Sequence, residues 1–286
     1  MKKYIAVLLV FAMLFAFASC SKDKEDETTT IPIEEISSEV NADSVKVTIP
    51  EGYTLVRISW LMEEKGLCSS EEFIDAAQNY KDWLNIEDYP FLKDMENTDN
   101  VCFYLEGYLF PLTHFIPKNS TPEEIIKILL DGTKSQLSED ILSKVEGTGY
   151  NLHEILTIAS IIEKEAVLDD QRLNVSSVLY NRLDIGMRIQ CDVTKNYCNG
   201  VIKLIYPDKI SYYQNYYDAY VCPGLMAGPI CNPGMPSINA ALNPNETDYL
   251  YFVIGTVEPY ESHFTKTYEE HITWWNENKA RLTGQE

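Results

Sequence analysis

Cationic residues are scarce in this chain. Against 44 Asp and Glu it carries 23 Lys and Arg and 4 His, for a net charge of −21. Binding to phosphates needs clustered Lys and Arg, so the balance argues against a nucleic-acid partner and fits an uncharged or cationic one. Motifs for several chemistries are missing as well. No C-x-x-C or H-E-x-x-H occurs, and the four histidines fall at no ligating spacing, so neither a metal nor another cofactor is expected. No serine stands in a G-x-S-x-G context, which disfavours Ser-His-Asp chemistry.

With 286 residues and 45% hydrophobic content, the chain can bury one large core or two modest ones. Its first twenty residues read as a targeting element. Lys2 and Lys3 precede an apolar run over residues 5–18, and Phe17-Ala18-Ser19-Cys20 resembles a bacterial lipobox. Cleavage before Cys20 would leave a lipidated N-terminus on the outer face of a membrane; a plain secretory signal or an anchor helix is the alternative. Residues 21–44 read as an acidic linker. The remaining cysteines, Cys68, Cys102, Cys191, Cys198, Cys222 and Cys231, are even in number, which fits either disulfides in an exported protein or buried thiols.

Residues 151–192, NLHEILTIASIIEKEAVLDDQRLNVSSVLYNRLDIGMRIQCD, carry the strongest candidate for chemistry. Asn151 can cap a helix with Glu154 as its reciprocal partner. Ile155, Ile158, Ala159, Ile162 and Ala166 recur at helical spacing, and Leu156 and Ile161 widen the stripe to that of a buried helix. The helix then runs into Glu163-Lys164-Glu165. The two glutamates are about 200° apart on a helix, so one pocket cannot hold both. Helical side chains lean back over the preceding turn, which sets Glu165 against Ile161 and Ile162 but Glu163 against Ala159 and Ser160. Glu165 is therefore the better candidate for a carboxyl that keeps its proton near neutral pH. Two ordinary surface glutamates flanking Lys164 remain the alternative at this point.

Elsewhere, Val45, Val47 and Ile49 alternate as a half-buried strand, residues 55–65 read as a helix, and Ser69 or Ser70 can cap another. Thr121-Pro122-Glu123-Glu124 is a helix start. Residues 172–183 form a further helix stopped by Gly186. Between 190 and 235 the chain is rich in tyrosine, at 197, 206, 212, 213, 216, 217 and 220, and such rings suit stacking on sugars, although about half should serve packing. Residues 249–254, YLYFVI, read as a buried strand.

Taken together, IASIIEKE at 158–165, Asn181-Arg182-Leu183, Ile189-Gln190-Cys191-Asp192, Tyr217-Asp218-Ala219-Tyr220, GLMAGPI at 224–230, Asn232-Pro233-Gly234, DYLYFV at 248–253 and the upstream LEGYLFP at 105–111 resemble the endolytic murein transglycosylase (MltG/YceG-like) family over roughly residues 45–280. Cys191 stands where the family usually has Thr. The resemblance implies an α+β fold, with a LysM-like module at 45–90, a connecting subdomain at 91–150 and a mixed α/β catalytic domain at 151–286 whose central helix carries the catalytic glutamate. It makes Glu165 that residue, in agreement with the desolvation argument, with Asn181, Gln190, Asp192, Tyr217 and Asn232 as substrate-positioning groups. The implied reaction is cleavage of the β-1,4 bond between N-acetylmuramic acid and N-acetylglucosamine inside peptidoglycan strands, leaving 1,6-anhydro ends. The implied surroundings are the extracytoplasmic face of a membrane, a lipid anchor at Cys20 and contact with cell-wall synthesis proteins, with a role in ending strand elongation. A muramidase using Glu165 with Asp192, and a non-catalytic glycan-binding lipoprotein, are the alternatives. Crosslinks Cys191 to Cys198 and Cys222 to Cys231 would each close a short loop around the proposed cleft.

Overall fold

A computed structural model describes residues 43–96 and 98–284. The targeting element, Cys20 and nearly all of the 21–44 linker lie outside the described residues. The elements run β1 (Ser44–Thr48), α1 (Leu55–Glu64), α2 (Ser70–Gln78), α3 (Lys93–Glu96), β2 (Thr113–Pro117), α4 (Pro122–Gln136), α5 (Glu139–Thr148), α6 (Leu152–Glu165), α7 (Asp169–Asp184), α8 (Asp192–Tyr197), α9 (Lys203–Ile205), α10 (Ile210–Tyr217), α11 (Met235–Leu242), β3 (Tyr251–Ile254), β4 (Ser262–Thr265) and α12 (Tyr268–Thr283). A π-helical turn, Cys198–Ile202, joins α8 to α9. The fold is mixed helix and sheet.

β1 pairs antiparallel with β2, with Val45 opposite Ile116 and Val47 opposite His114. Residue 90 is thus no structural break, because the strand that completes the N-terminal unit comes from 113–117. Val47, Ile49, Leu55, Ile58 and Phe73 of that unit share one apolar core with Ile125, Leu129, Ile155, Ile158, Val175 and Ile238. The strand and two helices expose too much apolar surface to stand alone, and the rest of the chain covers it.

α6 forms where the sequence places it, for the reasons given. Asn151 Oδ1 accepts from Glu154 N at 2.9 Å, and a Glu154 carboxylate oxygen accepts from Asn151 N at 2.8 Å. Residues 152–162 are buried except for the capping residue Glu154, which is half-buried, so the helix is a core element. Burying it wholly includes its polar positions, and these pin the loop at 224–232. His153 Nε2 donates to Ala227 O at 2.9 Å, which leaves Nδ1 to accept from Tyr108 OH at 2.9 Å. Ile230 N donates to Ser160 Oγ at 3.0 Å, and the Cys231 thiol contacts Ser160 O at 3.4 Å. These bonds satisfy groups that would otherwise be costly to bury.

Two expectations are corrected. The YLYFVI run is not a buried strand: residues 251–254 are all half-exposed, in a two-stranded sheet with β4. Their apolar character has another cause, since Phe252, Val253 and Ile254 form the wall of a cavity. The expected crosslinks are absent too. All six described cysteines are free thiols. Cys191 points its sulfur at Ile189 O (3.8 Å), Cys222 at Leu225 O (3.5 Å) and Cys231 at Ser160 O, so they behave as small, weakly donating core side chains.

Candidate active site

The C-terminal end of α6 opens into a cavity of about 680 Å³. Glu165 stands on one side, and Gln190, Cys191 and Asp192 at the start of α8 face it. β3 and the α12 residues His271, Ile272 and Trp275 complete the wall. Such a size suits one or two sugar rings.

Glu165 as a whole is half-buried, but the cost of desolvating its carboxyl dominates its titration. Burial pushes its pKa up to about 7, the neighbouring Cys191 thiol and Val193 N–H oppose the rise, and the Asp192 charge adds to it. A carboxyl poised near neutral pH at a cavity wall is suited to giving up a proton and taking one back. Glu163, two residues earlier, does something else. One of its carboxylate oxygens accepts from Ser237 Oγ at 2.6 Å and from Gly234 N at 3.3 Å, holding the start of α11. The rotation between the two side chains that keeps them out of one pocket also gives them different tasks.

Asp192 is exposed and accepts from Tyr220 OH at 2.9 Å. Gln190 adopts φ 53°, a left-handed backbone that a non-glycine residue holds only when its surroundings impose it. Here Gln190 N donates to Ala219 O at 3.2 Å, and Arg182 fixes the preceding turn, donating from Nη1 to Ile189 O at 2.5 Å and from Nε to Leu250 O at 2.6 Å. Arg182 also lies over the Tyr251 ring, at 5.1 Å from its centroid. It therefore ties the Gln190 loop to β3 across the cavity.

The structure brings Glu165, Gln190 and Asp192 together and places the other three expected residues elsewhere. Asn181 Nδ2 donates to Thr247 O and Tyr249 O, both at 2.9 Å, and holds the segment before β3. Tyr217 is 1% exposed, with its hydroxyl accepting from Cys102 N at 3.0 Å. Asn232 is fully buried and uses its amide on Leu109 N, Tyr53 O and Glu106. Of the loop tyrosines, Tyr220 lines the cavity. Tyr206, Tyr212, Tyr213, Tyr216 and Tyr217 pack against one another.

Arg182, Phe252 and His271 also line the cavity, with no site role assigned to them from the sequence. Arg182 had a signal, since it stands in the quoted Asn181-Arg182-Leu183 run. Glu106, in LEGYLFP, was also passed over as a site. It is 2% exposed and takes bonds from Leu55 N (2.9 Å), Asn232 Nδ2 (3.1 Å) and Tyr197 OH (3.0 Å). Burial nevertheless pushes its pKa up to about 8. It joins α1, the 105–111 strap, α8 and the 232–234 loop. Among the described residues no group of three or more His, Cys, Asp or Glu is arranged to hold a metal ion.

A family model described as the YceG-like family matches residues 25–277. The chain belongs to the YceG-like family. A curated relative, the endolytic murein transglycosylase of Bacillus subtilis strain 168, is 34% identical over 257 residues, covering 87% of this chain and 68% of that protein. A protein of the same name from Streptococcus pneumoniae serotype 2 is 30% identical over 239 residues, covering 79% of this chain and 43% of that protein, so the chain spans less than half of its length. The crystal structure of a YceG-like protein from Listeria monocytogenes superposes with a TM-score of 0.70 at 32% identity, covering 80% of this chain and 75% of that one.

Proposed function

We propose that this protein is a lytic transglycosylase that cuts the β-1,4 bond between N-acetylmuramic acid and N-acetylglucosamine within peptidoglycan strands. The observation that carries the reading is the single half-buried carboxyl of Glu165, held near neutral pKa against Asp192 on the wall of a cavity large enough for sugar rings. Protonated Glu165 donates to the glycosidic oxygen while the bond from the muramic anomeric carbon breaks and an oxocarbenium-like centre develops. The resulting carboxylate takes the proton from the muramic 6-hydroxyl, whose oxygen closes on the anomeric carbon. No water enters, Glu165 is restored, and the ends are a free 4-hydroxyl and a 1,6-anhydro ring. Asp192 and Gln190 orient the sugar, with Asp192 also placing negative charge beside the developing cation. Asn181, Tyr217 and Asn232 hold the walls.

The wider setting belongs to the same proposal. A lipid on Cys20 and the 21–44 linker would tether the catalytic domain at 151–286 to the extracytoplasmic face of the membrane, where strands grow, so cutting there would end elongation beside the synthesis proteins. No helix among the described residues is long and apolar enough to cross a membrane. The N-terminal LysM-like module then includes the closing strand β2 in addition to residues 45–90, and α4 and α5 connect it to α6. Acyl chains on the mature N-terminus test the tether; an unmodified cysteine refutes it. Mass analysis of digested strands tests the reaction. Ends lacking one water support it, reducing ends assign a muramidase that uses water with the same Glu165, and intact strands leave a binding protein.

A further inference from the structure

A second cavity, of about 380 Å³, adjoins the first. Lys164 lines both, and the consecutive residues Asp192 and Val193 fall one on each side. Its other walls include Arg57 and Trp60 of α1 and Tyr197 of α8. Two properties set it apart. In a chain with a net charge of −21, its lining holds the cations Arg57 and Lys164 and no carboxylate. It also presents an indole at the surface, since Trp60 is 45% exposed. Arg57 and Trp60 are three residues apart on α1 and so share one face.

Both cations are exposed, and each has a local contact. The Arg57 guanidinium lies over the Tyr53 ring, 5.6 Å from its centroid, and Lys164 Nζ donates to Gly52 O at 3.4 Å. An exposed aromatic ring beside a guanidinium and an ammonium fits a sugar that carries an anionic substituent. Resting on the reaction proposed above, we propose that this second cavity is a subsite for the same glycan strand, gripping the carboxylate borne on the lactyl ether of a muramic acid further along it. Trp60 stacks on the sugar ring, while Arg57 and Lys164 pair with the carboxylate. The carboxylate is either the lactyl group itself or a terminal group of the attached peptide. Lys164, between the two cavities, sets the register of the strand relative to Glu165.

The test measures strand affinity in the Glu165→Gln protein, which holds substrate without turning it over, using three probes: peptide-bearing strands, strands stripped of peptide, and peptide-bearing strands with their carboxyls amidated. Arg57→Ala in that background should weaken binding of the carboxylate-bearing strands by about tenfold and change the amidated strands by about twofold or less. Trp60→Ala should weaken all three by about fivefold. An Arg57 effect on stripped strands assigns the lactyl carboxylate, and one confined to peptide-bearing strands assigns the peptide. Equal affinities with and without Arg57 overturn the subsite, as does an equal loss for amidated strands. Product analysis of the unmutated enzyme is independent of this: strands cut to other ends but bound with an Arg57 dependence would refute the reaction and keep the subsite, and anhydro ends with no Arg57 dependence would refute the subsite alone.

Discussion

Replacing Glu165 by Gln should stabilise the protein at alkaline pH and leave it unchanged in acid. Burial raises the folded-state pKa of Glu165 to about 7, from the 4.5 of an unperturbed glutamate. Below pH 4.5 the group is protonated in both states and costs nothing. As pH rises toward 7 the unfolded chain releases its proton while the folded one retains it, so stability is lost progressively across that window and fully by pH 8. At about 1.4 kcal/mol per unit, a rise of about 2.5 makes the loss about 3.5 kcal/mol. Gln is neutral throughout, and its carbonyl oxygen can still accept from Val193 N–H. For a folded region of this size, roughly 2–4 °C per kcal/mol makes the difference in Tm about 7–14 °C at pH 8 and near zero at pH 4. Paired thermal melts of the two proteins at both pH values measure it. A difference that does not change with pH, or a less stable Gln variant at pH 8, would refute the placement of a desolvated carboxyl at the cavity wall.

Glu163→Gln loses a charge-assisted acceptor for Ser237 Oγ and Gly234 N and should cost about 1–2 kcal/mol by urea denaturation, while retaining most of the cleavage rate. Gly107→Ala should lower stability by about 3 kcal/mol in the same measurement, because Gly107 has φ 86° and an added Cβ would lie 2.5 Å from Pro229 Cγ. The rate of strand cleavage should fall as pH rises through about 7, where Glu165 gives up the proton it must donate. A rate that climbs steadily from pH 6 to pH 9 would contradict that assignment.

Local signals in the sequence carried furthest where they were sufficient. The caps at Ser69, Thr121 and Asn151 each bond as their residue types predict. The stripe on α6 told a buried helix from a surface one, and the backward lean of helical side chains separated Glu165 from Glu163. What sequence could not supply was long-range pairing. β1 finds its partner 65 or more residues away, so the N-terminal unit appeared to end before its second strand. The YLYFVI run has the same apolar character whether it packs in a core or walls a cavity. Asn181 and Asn232 have side chains as suited to binding sugar as to bonding protein groups, and only their neighbours decide; Asn181 is spent on main-chain carbonyls, and Asn232 on main-chain groups and the Glu106 carboxyl. Glu106 lies in a stretch where aromatic and turn residues stood out, and its burial depends on four segments brought together from across the chain.

One carboxyl acting as acid and then as base is the centre of the proposed reaction. Purified glycan strands treated separately with the unmutated protein, Glu165→Gln and Glu163→Gln, and then resolved by mass spectrometry, test it most directly. The unmutated protein and Glu163→Gln should leave 1,6-anhydro ends and a folded Glu165→Gln none; anhydro ends from Glu165→Gln at the unmutated rate would contradict the assignment of Glu165 as acid and base.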